Sequence, residues 1–334
     1  MSDTIRVLIV DDSSIMREAI RSILNSDSSL EVIGMAKDGD DAIKKTIALK
    51  PDVITMDINM PNMGGLEAIE NIMNAQPTPI VVVSSMDVSV IVKALGMGAM
   101  DFITVDQDIG QVSKDMIRKI KIASRVRPIR HAIPKTTKTI EIPSVKKALI
   151  KIVAIGVSTG GPQALQILLS GLPRGFPATV VIVQHMTLGF IEGLAEWLKT
   201  SSALDIRVAK SGEPLKNSTV YFAPDIYDLK INEACSVVLS EPAVKTPHIP
   251  SIDAMMKSVA HAFGANAIGV IMTGMSRDGV AGIKAIKEAG GTTIAQDEKS
   301  SAIFGMNKEA ICTGCVDTVL PLEKIAQELV RLVV

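Results

Sequence analysis

The segment Gly156-Val157-Ser158-Thr159-Gly160 follows an apolar run and precedes Gly161-Pro162. Small residues at these places permit the sharp strand-to-helix turn that lifts a serine hydroxyl clear of a strand end, so Ser158 is a candidate nucleophile. Proline suits the first helical position. The Thr159 amide, at that helix start, is placed to donate to an oxyanion. A serine nucleophile needs a base, and the base needs an acid to set its tautomer. Among the four histidines, His185 ends the apolar run Thr179 to Val183, so it faces the same crevice as Ser158. Asp278 follows the run Ala267 to Met272 through Thr273-Gly274-Met275-Ser276-Arg277. Ser158 would attack, His185 would take its proton, and Asp278 would orient the imidazole. His131 lies in a proline-rich stretch, His261 in a helical pattern, and His248 in the loop Thr246-Pro247-His248-Ile249-Pro250. A Ser, Asp, His order would need Asp225 or Asp228 with His248 or His261, none of which ends a predicted strand.

A second chemistry is written near the start. Asp11 and Asp12 follow the run Ile5 to Val10, and Asp57 closes Val53 to Met56. At the carboxyl ends of neighbouring parallel strands, these carboxylates share one crevice and repel one another unless a hard cation neutralises them. Mg²⁺, an oxygen-ligand ion, fits Asp11, Asp12 and Asp57 and would also neutralise an incoming phosphoryl group. Asp57 is then the nucleophile that takes the phosphate, with Ser84, at the end of Ile80 to Val83, placed to contact it.

Two α/β patterns must position these groups. In the first, the runs Ile5 to Val10, Val53 to Met56, Ile80 to Val83 and Phe102 to Val105 alternate with helical spacings at Ile15 to Leu24, Gly65 to Ala75, Val88 to Gly98 and Lys114 to Ser124. Near-continuous apolar strands between helices predict a parallel sheet covered on both faces, here a doubly wound (βα)5 domain over residues 1–124. Residues 125–149 carry Pro128, Pro134 and Pro143 with many cations and little periodicity, and read as a linker. Residues 150–334 form a second α/β parallel-sheet domain. Its strands are Lys151 to Ile155, Thr179 to Val183 and Ala267 to Met272, with helices near Pro162 to Ser170, Phe190 to Thr200, Ser251 to Phe263 and Val280 to Glu288. Val220 to Ala223, Tyr227 to Ile231 and Ser236 to Leu239 read as a hairpin-like stretch.

Bulk properties narrow the function. The 334 residues are 47% hydrophobic, enough for two cores at roughly 150 residues per domain. A net charge of -1 argues against nucleic acid as a partner. Three cysteines, no signal-peptide pattern and no apolar run near the roughly 20 residues of a membrane span predict a cytoplasmic setting. Cys312-Thr313-Gly314-Cys315 lacks a second pair for zinc and closes a helix instead of opening one, so it reads as chance.

Val7 to Asp12, Met56-Asp57-Ile58-Asn59-Met60-Pro61, Gly64-Gly65 and Ser84 together resemble a response-regulator receiver over residues 3–124. The resemblance implies phosphoryl transfer from a chemotaxis histidine kinase to Asp57. Receivers usually carry Lys-Pro after the fifth strand, where this chain has Val105 and Asp106. Ile155 to Gly161, Gln184-His185-Met186, Pro250-Ser251-Ile252-Asp253, Thr273-Gly274-Met275, Asp278-Gly279 and Ala295-Gln296-Asp297-Glu298 resemble the protein-glutamate methylesterase of bacterial chemotaxis over nearly all of residues 150–334. Thr187-Leu188 stand where that family commonly has Pro-Pro. This second resemblance implies that Ser158, His185 and Asp278 form the triad and that Met275 supplies an oxyanion-hole amide beside Thr159. It implies as substrates the glutamyl methyl esters, and certain glutamines, of methyl-accepting chemoreceptors, with no cofactor for hydrolysis. Two rival readings are a phosphate loop at Gly156 to Gly161, which lacks the Gly-Lys-Ser/Thr ending such loops use, and a catalytically dead adaptor, against which the intact triad set stands.

Overall fold

The computed structural model describes residues 4–85, 88–105, 109–126, 128, 151–242 and 248–334. The chain divides into two compact units, residues 1–132 and 133–334. Most of the expected linker, His131 and Asp106 lie outside the described residues.

The first unit alternates β1 (Ile5–Val10), α1 (Ser14–Asn25), β2 (Leu30–Ala36), α2 (Gly39–Leu49), β3 (Val53–Met56), α3 (Gly65–Ala75), β4 (Ile80–Ser84), α4 (Val88–Met97), β5 (Asp101–Thr104) and α5 (Ile109–Ala123). The sheet order is β2-β1-β3-β4-β5, all parallel. Every residue of β3 and β4 is buried, as both-face coverage requires. Neither β2 nor α2 is evident from hydrophobic spacing in the sequence. Strand β2 is at the edge, carries Glu31 and Gly34, and is mostly half-buried, so its apolar signal is weak. Ser13 starts α1 by accepting a hydrogen bond from the Met16 amide at 3.3 Å.

The second unit is built on a seven-stranded sheet of order β14-β13-β12-β6-β7-β9-β8. Its strands are β6 (Lys151–Val157), β7 (Ala178–Gln184), β8 (Asp205–Val208), β9 (Thr219–Phe222), β12 (Ala267–Ile271), β13 (Thr292–Gln296) and β14 (Thr318–Leu320), paired in parallel throughout. The helices are α6 (Gly161–Ser170), α7 (Ile191–Lys199), α8 (Ile252–Phe263), α9 (Val280–Glu288), α10 (Met306–Cys312) and α11 (Leu322–Val333). Ile152, Ala154, Val181 and Val183 pack on one face against Met255, Met256 and Val259 of α8 and Ile283 and Ile286 of α9. By alternation Val153, Ile155, Val180 and Ile182 point to the other face and are equally buried. The run at Val220 is not part of a hairpin: β9 is fully buried and pairs in parallel with β7 and β8. Only β10 (Asp228–Ile231) and β11 (Val237–Ser240) form the antiparallel pair. Among the described residues, no helix is long and apolar enough to cross a membrane.

Candidate active site

Strand β6 sits at the middle of the second sheet, between β12 and β7. The chain leaves β6 toward β7 and later returns to its other side as β12, so a topological switch point opens at the carboxyl ends of these strands. Ser158 is the first residue after β6, and its amide donates to the Thr273 carbonyl at 3.0 Å. The Gly161 amide closes the turn onto the Ser158 carbonyl at 2.8 Å. Gly160 makes this possible, because its φ of 77° lies in the left-handed region that side chains disfavour. Gly274 is equally constrained: a Cβ there would lie 2.7 Å from the Ser158 Cβ. The strand-turn-helix geometry expected of Gly156 to Pro162 is therefore present. Among the described residues, the Thr159 and Met275 amides make no hydrogen bond within the protein, which leaves both free to donate outward.

His185 follows β7, and its backbone amide donates to the Val157 carbonyl at 3.0 Å. The Gln184 side-chain amide donates to the Ser158 carbonyl at 2.9 Å and the His185 carbonyl at 2.8 Å, tying the two turns side by side. Nothing in the spacing of the sequence marks Gln184 for this role. The His185 Nε2 lies 3.0 Å from the Asp278 Oδ2. Its Nδ1 is buried and has no hydrogen-bond partner among the described residues. The nitrogen facing the acid is thus Nε2, and Nδ1 is left to accept a proton, the reverse of the chymotrypsin assignment.

Asp278 is held by the start of α8. It accepts from the amides of Ile252 at 2.7 Å and Asp253 at 2.9 Å, and from the Ser251 hydroxyl at 3.1 Å. Burial opposes its charge, but the hydrogen bonds from His185 and from these amides win, and its carboxyl is held below the ordinary range. Ser251 itself caps α8, accepting from the Ala254 amide at 3.2 Å. Ser251 and Asp253 were legible only as a motif of the resembling family; a serine opening a helical pattern is the signal that marks the cap.

The other acids and histidines are disposed of by the same geometry. Asp225 accepts from the Gly189 amide at 2.8 Å, and Asp228 from the Ser251 amide at 2.8 Å. His261 is exposed and pairs with Glu233 at 3.1 Å. His248, in a loop as expected, stacks on His185, with ring centroids 4.8 Å apart and planes at 16°. A cavity of about 720 Å³ adjoins this pair, lined by His248, Asp278, Lys230, Lys257 and Arg277 among others.

In the first unit, single carboxylate oxygens of Asp11, Asp12 and Asp57 lie within 4.8 Å of one another. Asp11 is pushed up to about 6 by burial, against the Ser13 hydrogen bond and with help from the charges of Asp57 and Asp12. Burial also raises Asp57, against hydrogen bonds from the amides of Ile58 and Asn59. Three carboxylates so close, with Asp11 buried, Asp57 half-buried and Asp12 open to solvent, are an oxygen-donor set that fits a hard divalent cation. Arg17, unnoticed in the sequence, donates to the carbonyls of Asp11 at 2.7 Å and Asp12 at 3.0 Å and shapes this loop. Gly65 lets the loop after Asp57 close, since a Cβ there would lie 2.1 Å from the Asp57 carbonyl oxygen. Ser84 ends β4 and is buried. Val105, just after β5, is half-buried and packs against the core. The buried Lys119 of α5 does not substitute for a cation there: it donates to the Phe102 carbonyl at 2.5 Å and pairs with Asp101, the first residue of β5, at 3.4 Å.

Fold and site together define a protein with a receiver-type acidic crevice in one unit and a Ser, His, Asp group at the switch point of the other. The family described as CheB methylesterase matches residues 153–329, and the response regulator receiver domain matches residues 7–115. The protein-glutamate methylesterase/protein-glutamine glutaminase of Nitrosospira multiformis is 41% identical over 98% of this chain and 97% of that one. The protein of the same name from Archaeoglobus fulgidus is also 41% identical, over 98% and 97%. The crystal structure of the Thermotoga maritima CheB methylesterase catalytic domain superimposes with a TM-score of 0.54 and 39% identity, covering 55% of this chain and all of that one. The chain belongs to the CheB methylesterase family, with a response regulator receiver domain ahead of the esterase.

Proposed function

We propose that the chain is a phosphorylation-regulated serine hydrolase that demethylates glutamyl methyl esters of chemoreceptors and deamidates certain of their glutamines in chemotaxis adaptation. The observation that carries the reading is the His185–Asp278 hydrogen bond of 3.0 Å at the strand ends beside Ser158. Ser158 attacks the ester carbonyl while its proton passes to His185 Nδ1. Asp278 stabilises the imidazolium, and the amides of Thr159 and Met275 receive the oxyanion. The proton then goes to the departing methoxide, which leaves as methanol, or to the departing amide nitrogen, which leaves as ammonia. Water, deprotonated by His185, attacks the acyl-serine, and the proton returned to Ser158 regenerates the enzyme with a free glutamate.

In the receiver, Asp57 is the residue phosphorylated by a histidine kinase, with Ser84 contacting the phosphate. Mg²⁺ held by Asp11, Asp12 and Asp57 would supply charge neutralisation there, and hydrolysis needs no cofactor. The proposed boundaries are a receiver at residues 1–124, a linker at 125–149 and a catalytic domain at 150–334. The setting is the cytoplasm, and the membrane is reached only through receptors.

The test is labelling with a fluorophosphonate serine probe together with methanol release from methylated receptor membranes. Wild type should label and turn over, and Ser158→Ala should lose both, by on the order of 10³-fold or more in rate, without unfolding. Near-normal methanol release from Ser158→Ala would remove Ser158 as the nucleophile.

A further inference from the structure

We propose that His248 is a positioning residue of the esterase, holding the His185 imidazole in its reactive plane through ring stacking. The inference rests on the hydrolase reading above and adds to it a group outside the triad. His185 is anchored at a single ring nitrogen, Nε2, by Asp278. One hydrogen bond fixes one edge of the ring but leaves the plane free to tilt, and a tilt displaces Nδ1, the proton acceptor of the proposed mechanism. The His248 ring lies 4.8 Å away and within 16° of parallel, so it blocks that tilt and covers one imidazole face from solvent.

The surroundings suit a neutral ring acting through its face. Among the described residues, His248 makes no hydrogen bond, so no acid orients either of its nitrogens for proton transfer. Burial pushes its pKa below the ordinary histidine value, and the charge of His185 lowers it further, against the pull of Asp278. Lys230, Lys257 and Arg277 line the same cavity, with Arg277 paired to Glu309 at 3.2 Å and Lys257 to Asp253 at 4.0 Å. The remaining acid there, Asp253, is engaged by the amides of Gly279 at 2.9 Å and Gly282 at 2.7 Å. When His185 takes the serine proton, a neutral π face beside it stabilises the imidazolium, whereas a protonated His248 would repel it.

The experiment compares His248→Ala with His248→Phe, which keeps a flat ring but carries no nitrogen. Because His248 is a half-buried loop residue, both variants should unfold in urea like wild type. In His248→Ala, kcat for methanol release should fall by about 10- to 100-fold with KM changed less than about twofold, since the base is misplaced and not the substrate. In His248→Phe, kcat should return to within about threefold of wild type, and serine-probe labelling of Ser158 should recover in parallel. Loss in His248→Phe equal to that in His248→Ala would show that a nitrogen does the work and would overturn the stacking role. So would unchanged kcat in His248→Ala, or a change confined to KM. Failure of wild type to label at Ser158 would instead count against the hydrolase reading, so the two are separable.

Discussion

Asp278 and Asp253 cap each other's helices. Asp278, just before α9, accepts from the first amides of α8, while Asp253, in the first turn of α8, accepts from the amides of Gly279 and Gly282 at the start of α9. Each carboxylate sits where a helix N-terminus favours negative charge, so the acid that orients His185 is fixed on two sides. Replacing Asp253 by Ala should therefore cost about 0.5–2 kcal/mol of stability, the usual worth of a capping side chain. It should also lower kcat more than it changes KM, because the Asp278 loop loses its brace. Urea unfolding and methanol release on the same preparation check this. Unchanged stability would mean the reciprocal caps do not hold the two helices together.

His185→Ala should be as damaging as Ser158→Ala, and the double variant should be little worse than either single one, because triad members act as a unit. Additive losses, measured as kcat for methanol release, would place the two residues in separate steps. His248→Ala should be milder than His185→Ala.

The receiver crevice should be sensitive to pH and to Mg²⁺. In the metal-free fold, Asp11 is raised to about 6, so the folded protein holds this proton more tightly than the unfolded chain does. Its contribution to stability is present at low pH and is lost as pH rises from the ordinary carboxylate range through about 6. Scanning calorimetry of the full chain in chelator should show the receiver transition at a lower temperature near pH 7.5 than near pH 5.5, with Mg²⁺ reversing the loss mainly at the higher pH. A receiver transition indifferent to Mg²⁺ at both values would count against a cation at Asp11, Asp12 and Asp57.

Phosphorylation should couple weakly to the esterase. Val105 offers neither charge nor hydrogen bond to a phosphorylated Asp57, and Lys93 and Lys114 belong to α4 and α5. Activation by a small phosphodonor should then fall at or below the low end of the roughly 5- to 150-fold range of ordinary allosteric coupling, and Val105→Lys should increase it. The measurement is esterase rate with and without phosphodonor in both proteins. Strong activation of wild type, unchanged by the lysine, would show that another cation serves.

Much of this was legible from spacing along the chain. Central parallel strands are covered on both faces and read as near-continuous apolar runs, so β1, β3, β4, β6, β7 and β12 announced themselves, and with them the strand ends that carry Asp11, Asp57, Ser158 and His185. The elbow at Ser158 was equally plain, because glycine is required where the backbone turns sharply. Edge strands such as β2 and β14 face solvent on one side and left little pattern, and β9 looked like a hairpin strand because its pairing with β7 spans some forty residues of chain. Which nitrogen of His185 meets Asp278, the exchange of caps between Asp278 and Asp253, and the stack of His248 on His185 were decided only by the tertiary structure. Each joins side chains from separate elements, and periodicity carries information about which face a residue occupies but none about which distant residue it will meet there.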